Sequence, residues 1–357
     1  MIGFFKLLFR FVFKLYHCIR KISYGKKMIN TNKVCILLNR PLGLGDLVML
    51  SPLIILINKL YNVTVISDYP NFLNISDVEW VSYDNLDKGV LESSILVSPT
   101  PAFSNVKYCF KAKFYLGYFE SFNFVSNFSS ESYHADIRAD HYFEKCFVIL
   151  KVLNVDFEKN DLPYPNLTQI NDSTALGTSE NEIATIAPYS NWEERQLPYS
   201  KYLKLIRQLI ETGFLVYIIG SDKNDEVSLN KKLCSDIGSY NVINLTGKTT
   251  LSEMIFLMQK SKFYFGNDSG PSHLSYLMPN LFSYVFFGCV LPETRIPLNV
   301  NLKKSITTID SRISCPLYPC YNGYSKPNCK LNCVCLHDID INQISTKFIK
   351  DISCVEY

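Results

Sequence analysis

The chain has little net charge. Its 36 basic and 33 acidic residues leave only +3, which does not point to a basic nucleic-acid binder. It also lacks long apolar runs near its start. Within residues 2–19 no uninterrupted apolar run exceeds three residues, so a membrane-spanning helix is a poor fit there. No small-residue cleavage site follows, which argues against an export signal. The compartment is therefore read as reducing, and the early members of the 12 cysteines as thiols in the core. There is no internal repeat of fixed period and no low-complexity tract. What the chain does have is length and apolar content. At 357 residues, 47% hydrophobic and 14% aromatic, it is too long for one small domain, and roughly two folding units are expected.

The most one-sided absence is that of acid at the amino terminus. No Asp or Glu precedes Asp46, while Lys6, Arg10, Lys14, Arg20, Lys21, Lys26, Lys27, Lys33 and Arg40 all do. On a helix, Lys6, Arg10, Lys14, His17 and Lys21 form one polar stripe, and Phe, Leu, Ile and Val cover the remainder. Residues 1–29 are expected to lie on an anionic membrane surface as an amphipathic segment. The alternative is a helix docked on the protein's own core.

Beyond residue 30, strand and helix signals alternate. Strands are expected at Val34–Asn39, Asn62–Ser67, Ile95–Val97 and Phe114–Tyr118, with a helix from about His141 to Leu153. An Asn-, Asp-, Pro- and Thr-rich stretch without apolar period follows and reads as a linker over 161–182. Strands are then expected at Ile183–Pro188, Phe214–Gly220, Asn241–Asn244, Phe263–Phe265 and Leu281–Phe287. Helices are expected at Ser200–Thr212, Asp225–Ile237 and Leu251–Lys260, with Gly213 as a helix stop. This alternation predicts an α/β protein with parallel sheets covered on both faces. Two domains result, 30–160 and 183–337, with a helical tail over 338–357.

Two turns fall where ligands bind in such folds. Gly43-Leu44-Gly45-Asp46 follows the first strand, at the sheet edge that open α/β folds use. Glycines there permit a tight turn and a close substrate approach. A dinucleotide fingerprint would need a third glycine or alanine, but position 48 is valine, which argues against a dehydrogenase. Asp46 could simply cap a helix. Pro52 leaves two readings open: a helix starting after Ser51, or a longer one kinked at the proline. The second turn, Gly266-Asn267-Asp268-Ser269-Gly270-Pro271, joins a buried strand to a helix starting near Pro271. Amides and a helix dipole there would suit a diphosphate, with the Ser269 hydroxyl and His273 close by. The bland alternative is a capped corner without ligand.

Together these segments resemble glycosyltransferase family 9, the ADP-heptose:lipopolysaccharide heptosyltransferases. The resemblance runs from about Val34 to Cys335. Its most specific part is Gly266-Asn267-Asp268-Ser269-Gly270-Pro271-Ser272-His273-Leu274, followed by Phe287-Gly288 and Pro292-Glu293-Thr294-Arg295-Ile296-Pro297. Arg40…Gly45-Asp46…Pro52 and the Pro188–Pro198 segment support it. The chain departs from the family in having Ser269 where Thr is more frequent, and Arg195-Gln196-Leu197 where Lys-Arg-Trp is common.

The resemblance implies a GT-B architecture of two Rossmann-like domains facing across a cleft, with acceptor in the first and sugar nucleotide in the second. By position Asp46 matches the general base, with Arg40, Gly43 and Gly45 around it. Arg195 matches a cation at the donor and Glu226 an acid near the ribose. Asp268, Ser269, Gly270 and His273 match residues around diphosphate and sugar. The implied partners are an ADP-heptose-type donor, a lipid-linked glycan acceptor and the membrane surface, with no nucleic acid. The implied location is cytoplasmic, peripheral on the cytosolic face of the inner membrane. The residue types suit inverting transfer without a cofactor: a carboxylate to take the hydroxyl proton, and positive charge at the leaving diphosphate. A non-catalytic sugar-nucleotide-binding or assembly subunit of the same fold is the alternative.

Cys315, Cys320, Cys329, Cys333 and Cys335 cluster near the end. Their spacing has no clear CxxC pair, the usual zinc signature, although His337 adds another candidate ligand. A structural metal and reduced thiols holding a loop both remain open. The lone Asp-x-Asp, Asp338-Ile339-Asp340, lies in the tail away from both turns and carries little weight as a metal site.

Overall fold

The computed structural model describes residues 12, 16, 31–38, 42–69, 71–102, 105–119, 123–134, 136, 138–167, 181–321 and 326–353. The chain divides into two compact units between Pro165 and Asn166.

The first unit holds six strands: β1 (Lys33–Leu37), β2 (Asn62–Ile66), β3 (Val78–Val81), β4 (Ile95–Ser98), β5 (Phe114–Gly117) and β6 (Val125–Ser126). Their order is β3-β2-β1-β4-β5-β6. All pairs are parallel except β5 with β6. The central strands are continuous apolar runs, as two covered faces require; β4 and β5 are buried at every position. Helix α1 (Leu44–Asn58) follows β1 and is buried on nearly all sides. It is one helix containing Pro52. Proline has no N–H for the Val48 carbonyl, and the Ser51 hydroxyl donates to that carbonyl instead, at 2.7 Å. The helix expected near residues 141–153 is α2 (Glu144–Val152).

Cys35, Cys109 and Cys146 are free thiols in this unit's interior. The amphipathic segment over 1–29 lies outside the described residues except at positions 12 and 16, both helical. Tyr16 packs its ring 4.6 Å from that of Phe110 and donates its hydroxyl to the Phe110 carbonyl at 3.1 Å.

The second unit holds β7 (Ile183–Ala187), β8 (Leu215–Ile218), β9 (Val242–Asn244), β10 (Phe263–Asn267), β11 (Phe282–Phe286) and β12 (Ile306–Ile309). The sheet is parallel throughout, in the order β12-β11-β10-β7-β8-β9. Helix α3 (Tyr199–Glu211) buries Tyr202, Leu205, Ile206 and Leu209, the spacing of one helical face. Gly213 ends it at φ +91°, a conformation glycine adopts without strain. Helix α4 is Asn224–Ile237 and α5 is Leu251–Lys260. A reciprocal cap starts α5: the Glu253 amide donates to the Thr250 hydroxyl and the Thr250 amide to the Glu253 carboxylate. Helix α6 (Gly270–Ser275) is only six residues long.

The tail over 338–357 contains α7 (Ile341–Ser353), and this helix is part of the unit's core. Phe348 is fully buried, its ring 5.9 Å from both Phe263 and Phe265. Of the linker expected over 161–182, residues 168–180 lie outside the described set, while Leu162 and Leu167 are fully buried.

Both sheets share one topology. Counted within each unit, the strand order is 3-2-1-4-5-6 (or its reverse), so direction reverses between the first and fourth strands. Connections leave that point toward opposite edges and open a crevice at the carboxyl ends of the strands. The two points are β1/β4 and β7/β10.

Candidate functional site

At the β1/β4 point, Gly43 is the N-cap of α1 in extended conformation, and Asp46 is the third residue of the helix. Asp46 is therefore not the N-cap residue, but its carboxylate Oδ2 accepts from the Gly43 N–H at 3.3 Å, the side-chain half of a capping box, which holds it at the helix start. A Cβ on residue 43 would stand 2.9 Å from that same oxygen, so glycine is what lets the carboxylate sit there. Gly45 is buried and Asp46 half-buried. Tyr69 lies close enough that, after burial, the Asp46 charge helps to raise its hydroxyl pKa. Arg40 lies outside the described residues. Thr100, beyond β4 on the other side of the point, is 4% exposed and its hydroxyl has no hydrogen-bond partner.

The β7/β10 point is built around Asn267, the last residue of β10, which is fully buried. Its side-chain oxygen accepts from the Leu197 amide at 2.9 Å and the Tyr202 hydroxyl at 3.0 Å, and its amide donates to the Pro188 carbonyl at 2.9 Å. One side chain thus ties the segment after β7 to the end of β10. Gly266 is required by its neighbour: a Cβ there would meet the Tyr264 hydroxyl at 2.1 Å. That hydroxyl pairs with Ser272 Oγ at 3.0 Å and anchors α6.

On this frame Asp268, 2% exposed, faces Arg195 and His273. Its Oδ2 is 3.6 Å from Arg195 Nε and its Oδ1 is 3.5 Å from His273 Nε2. Burial alone would raise the Asp268 pKa. Arg195, His273 and Arg295 outweigh burial and hold the carboxylate well below its usual range. The Arg195 guanidinium lies 4.3 Å from the Trp192 ring and 5.7 Å from that of Tyr321. Ser269 is the N-cap residue of α6, but its hydroxyl makes no capping bond. Arg195 Nε, Asp268 Oδ2, Ser269 Oγ and His273 Nδ1 are all buried without a hydrogen bond.

Glu226 sits in the first turn of α4, after β8, and is 8% exposed. It accepts from the Ser221 hydroxyl, and burial raises its pKa. A Cβ on Gly220 would collide with it at 2.2 Å. The Lys223 ammonium donates to Asn191 at 3.0 Å, joining the loops after β8 and β7.

Of the sequence-picked residues, the structure brings Arg195, Asp268, Ser269, Gly270 and His273 to one point, with Glu226 in the first turn of the helix after the neighbouring strand. Cys315, Cys333 and Cys335 are buried, and all five clustered cysteines are free thiols. Burial pushes Cys333 and Cys335 up to about 12. Among the described residues no group of three or more His, Cys, Asp or Glu side chains stands where it could hold a metal ion. Asp340 caps α7 through the Asn342 amide, at 2.9 Å, a structural use of the Asp-x-Asp segment. Sequence reasoning missed Tyr321, Cys289, whose thiol lies beside the Arg195 guanidinium, and the hub role of Asn267. Only Asn267 carried a signal, as the second residue of the turn already singled out.

The model of glycosyltransferase family 9 (heptosyltransferase) matches residues 102–278. That span contains Arg195, Glu226, the Asp268–Gly270 turn and His273, and begins after Asp46. Lipooligosaccharide heptosyltransferase 2 of Haemophilus influenzae is 29% identical over 118 residues, 32% of this chain and 32% of that protein. Its counterpart from Haemophilus ducreyi is 30% identical over 93 residues, 26% and 25% of the two chains. The matched segment thus spans about a third or less of the curated relatives' length. ADP-heptose lipopolysaccharide heptosyltransferase II of E. coli superposes with a TM-score of 0.64 at 14% identity, covering 89% of this chain and 98% of that one. A family 9 glycosyl transferase from Veillonella parvula gives 0.64 at 15% identity, covering 90% and 96%. An E. coli heptosyltransferase with ADP gives 0.61 at 14%, covering 89% and 99%. The fold is that of the GT-B heptosyltransferases. With its Gly266–Leu274 turn inside the matched span, the chain belongs to glycosyltransferase family 9.

Proposed function

We propose that this chain is an inverting glycosyltransferase. It moves a heptose, or a related sugar, from an ADP-sugar to lipopolysaccharide or another surface glycan. The observation that carries this reading is a buried polar cluster at one switch point: the Arg195–Asp268 ion pair at 3.6 Å, beside Ser269 Oγ and His273 Nδ1, which are buried without a hydrogen bond. Folded proteins leave few such atoms unpaired, and this cluster fits a polar ligand. Their signs divide the labour. Asp268 is anionic and unsuited to a phosphate, but it can accept hydrogen bonds from sugar hydroxyls. Arg195 and the Ser269 hydroxyl suit the diphosphate. Because α6 is short, the side chains carry more of this than a helix dipole. Glu226, with its pKa raised by burial, remains the residue proposed for the ribose. The adenine preference comes by analogy with the heptosyltransferase that holds ADP.

In the proposed reaction the acceptor hydroxyl oxygen attacks the anomeric carbon opposite the diphosphate. The bond from that carbon to the diphosphate oxygen breaks, and its electron pair leaves with the diphosphate. Asp46 takes the hydroxyl proton as the new bond forms. Arg195 offsets the charge that grows on the leaving oxygens. No resident metal or cofactor is required in this scheme. A lipid-linked acceptor would place the enzyme at the inner surface of the membrane, where the basic residues before Asp46 would favour anionic lipid. No described helix is long and apolar enough to cross a bilayer.

Calorimetry with ADP-, UDP- and GDP-sugars, followed by an assay for nucleoside diphosphate release, tests the reading. Tight binding of the ADP-sugar with release on adding acceptor is expected. A clear UDP preference would discard heptose, and binding without release under any acceptor would leave a non-catalytic subunit.

A further inference from the structure

We propose that Tyr321, in the cysteine-rich segment, is a positioning residue for donor binding: with Trp192 it forms an aromatic corner that fixes the Arg195 guanidinium. This rests on the reading of Arg195 as the cation at the diphosphate. The two rings are 5.3 Å apart, inclined at 54°, and the guanidinium carbon lies 4.3 Å from one centroid and 5.7 Å from the other. A guanidinium in contact with two ring faces has few orientations open to it. Its remaining edge is directed to Asp268, 3.6 Å away. A long side chain that would otherwise lose rotamer freedom on binding is thereby pre-ordered.

The corner is itself braced. The backbone amides of Cys320 and Tyr321 both donate to the Cys289 carbonyl, at 3.2 and 3.1 Å. Next to it, Gly288 packs so closely on the residue before Arg195 that a Cβ would lie 2.0 Å from the Glu194 carbonyl. Lys326 reaches the Glu194 carboxylate at 3.6 Å, and the Cys335 thiol donates to the Gly288 carbonyl at 3.6 Å. The segment from Cys315 to Cys335 thus touches the Arg195 turn directly through Tyr321 and Lys326, and indirectly through the corner after β11. Its role in this reading is to hold the donor-site arginine, which accounts for its place in the fold with or without a metal.

The test is nucleotide affinity by calorimetry on the full-length chain. Tyr321→Ala and Tyr321→Leu should each weaken ADP binding about 3- to 30-fold, the range of a cation–π contact. Tyr321→Phe, which keeps the ring, should bind ADP more tightly than Tyr321→Leu. Leucine keeps the bulk, so it covers the case in which the alanine variant fails to fold. In an Arg195→Ala background, Tyr321→Leu should change the ADP affinity no further, since the contact is already gone. KM for donor should rise more than kcat falls. Unchanged affinity in Tyr321→Leu, beside a clear loss in Arg195→Ala, overturns this proposal alone. Equal losses in both backgrounds would make Tyr321 a merely structural residue and overturn it too. Unchanged affinity in Arg195→Ala would instead overturn the donor-site reading beneath it.

Discussion

Replacing Arg195 by alanine should damage stability and donor binding together, and the two effects can be sized separately. For stability, Asp268 is 2% exposed and keeps its charge against the cost of burial through Arg195, His273 and Arg295. Removing one partner of a buried ion pair typically costs about 3–5 kcal/mol. Here two partners remain and Arg195 is itself 23% exposed, so about 2 kcal/mol is expected at neutral pH. The pH dependence has a definite sign. A carboxylate whose pKa is depressed by folding contributes stability above its unfolded pKa of about 4, and loses it as pH falls toward the folded value. Urea denaturation should therefore show a gap between parent and Arg195→Ala that is full at neutral pH and shrinks below about pH 4. For binding, a lost charge-assisted contact is worth about 1.5–3 kcal/mol, or roughly 10- to 100-fold in the Kd for ADP. Arg195→Lys keeps the charge but not the planar edge between the Trp192 and Tyr321 rings, and should fall between the two. A variant that binds ADP like the parent would refute the donor-site reasoning. A stability gap that grows in acid would refute the electrostatic account of Asp268.

How much of this could be read from residues alone follows from where the information is local. The second unit was legible because its strands are short apolar runs between amphipathic helices with clear stops. Leu251–Lys260 is the helix at the bounds expected of it. Of the four edge strands only β9 was legible. Strand β3 is nowhere fully buried, β6 has two residues, and β12 is intermediate at every position. Such strands are set by the neighbour they pair with, and no local apolar run marks them. In the site, the turn after β10 was legible because glycine, asparagine and aspartate have strong local reasons to occur there. The partners that complete it were not. Tyr321 meets Trp192 from 129 positions further along the chain, and nothing near either residue signals the pairing. In α1 the sequence left two readings open at Pro52, a helix start or a longer helix through the proline; the structure has the longer helix, and the Ser51 to Val48 bond shows how it accommodates the proline.

Three further outcomes are expected. Asp46→Asn should lower kcat about 10²- to 10⁴-fold while ADP affinity stays within twofold or so; single-turnover kinetics beside calorimetry separates the two, and full activity would leave Asp46 as a residue of the helix start only. Phe348→Ala should cost about 3–5 kcal/mol in urea denaturation, because α7 is core and not tail; a loss under about 1 kcal/mol would contradict that packing. The amino terminus gives the third, and here two readings make different predictions for two truncations. Tyr16 is docked, with its ring on Phe110 and its hydroxyl bonded to the Phe110 carbonyl, yet Val12, one helical turn earlier, is 45% exposed. Membrane attraction in this reading draws on the stripe of Lys6, Arg10, Lys14 and Lys21 and the apolar residues among them, at about 1 kcal/mol per basic residue, screened by salt. Removing residues 1–11 takes two of these four and should therefore weaken co-sedimentation with anionic liposomes at low salt and leave the urea midpoint unchanged. Removing residues 1–27 also takes Tyr16, and should lower the midpoint by an amount that Tyr16→Ala alone reproduces, about 1–2 kcal/mol for a half-buried aromatic with one hydrogen bond. If the shorter truncation co-sediments with liposomes as well as the full chain does, the basic segment is not an anchor. If it also destabilises the fold as much as the longer one, the whole segment belongs to the core and the membrane reading falls with it.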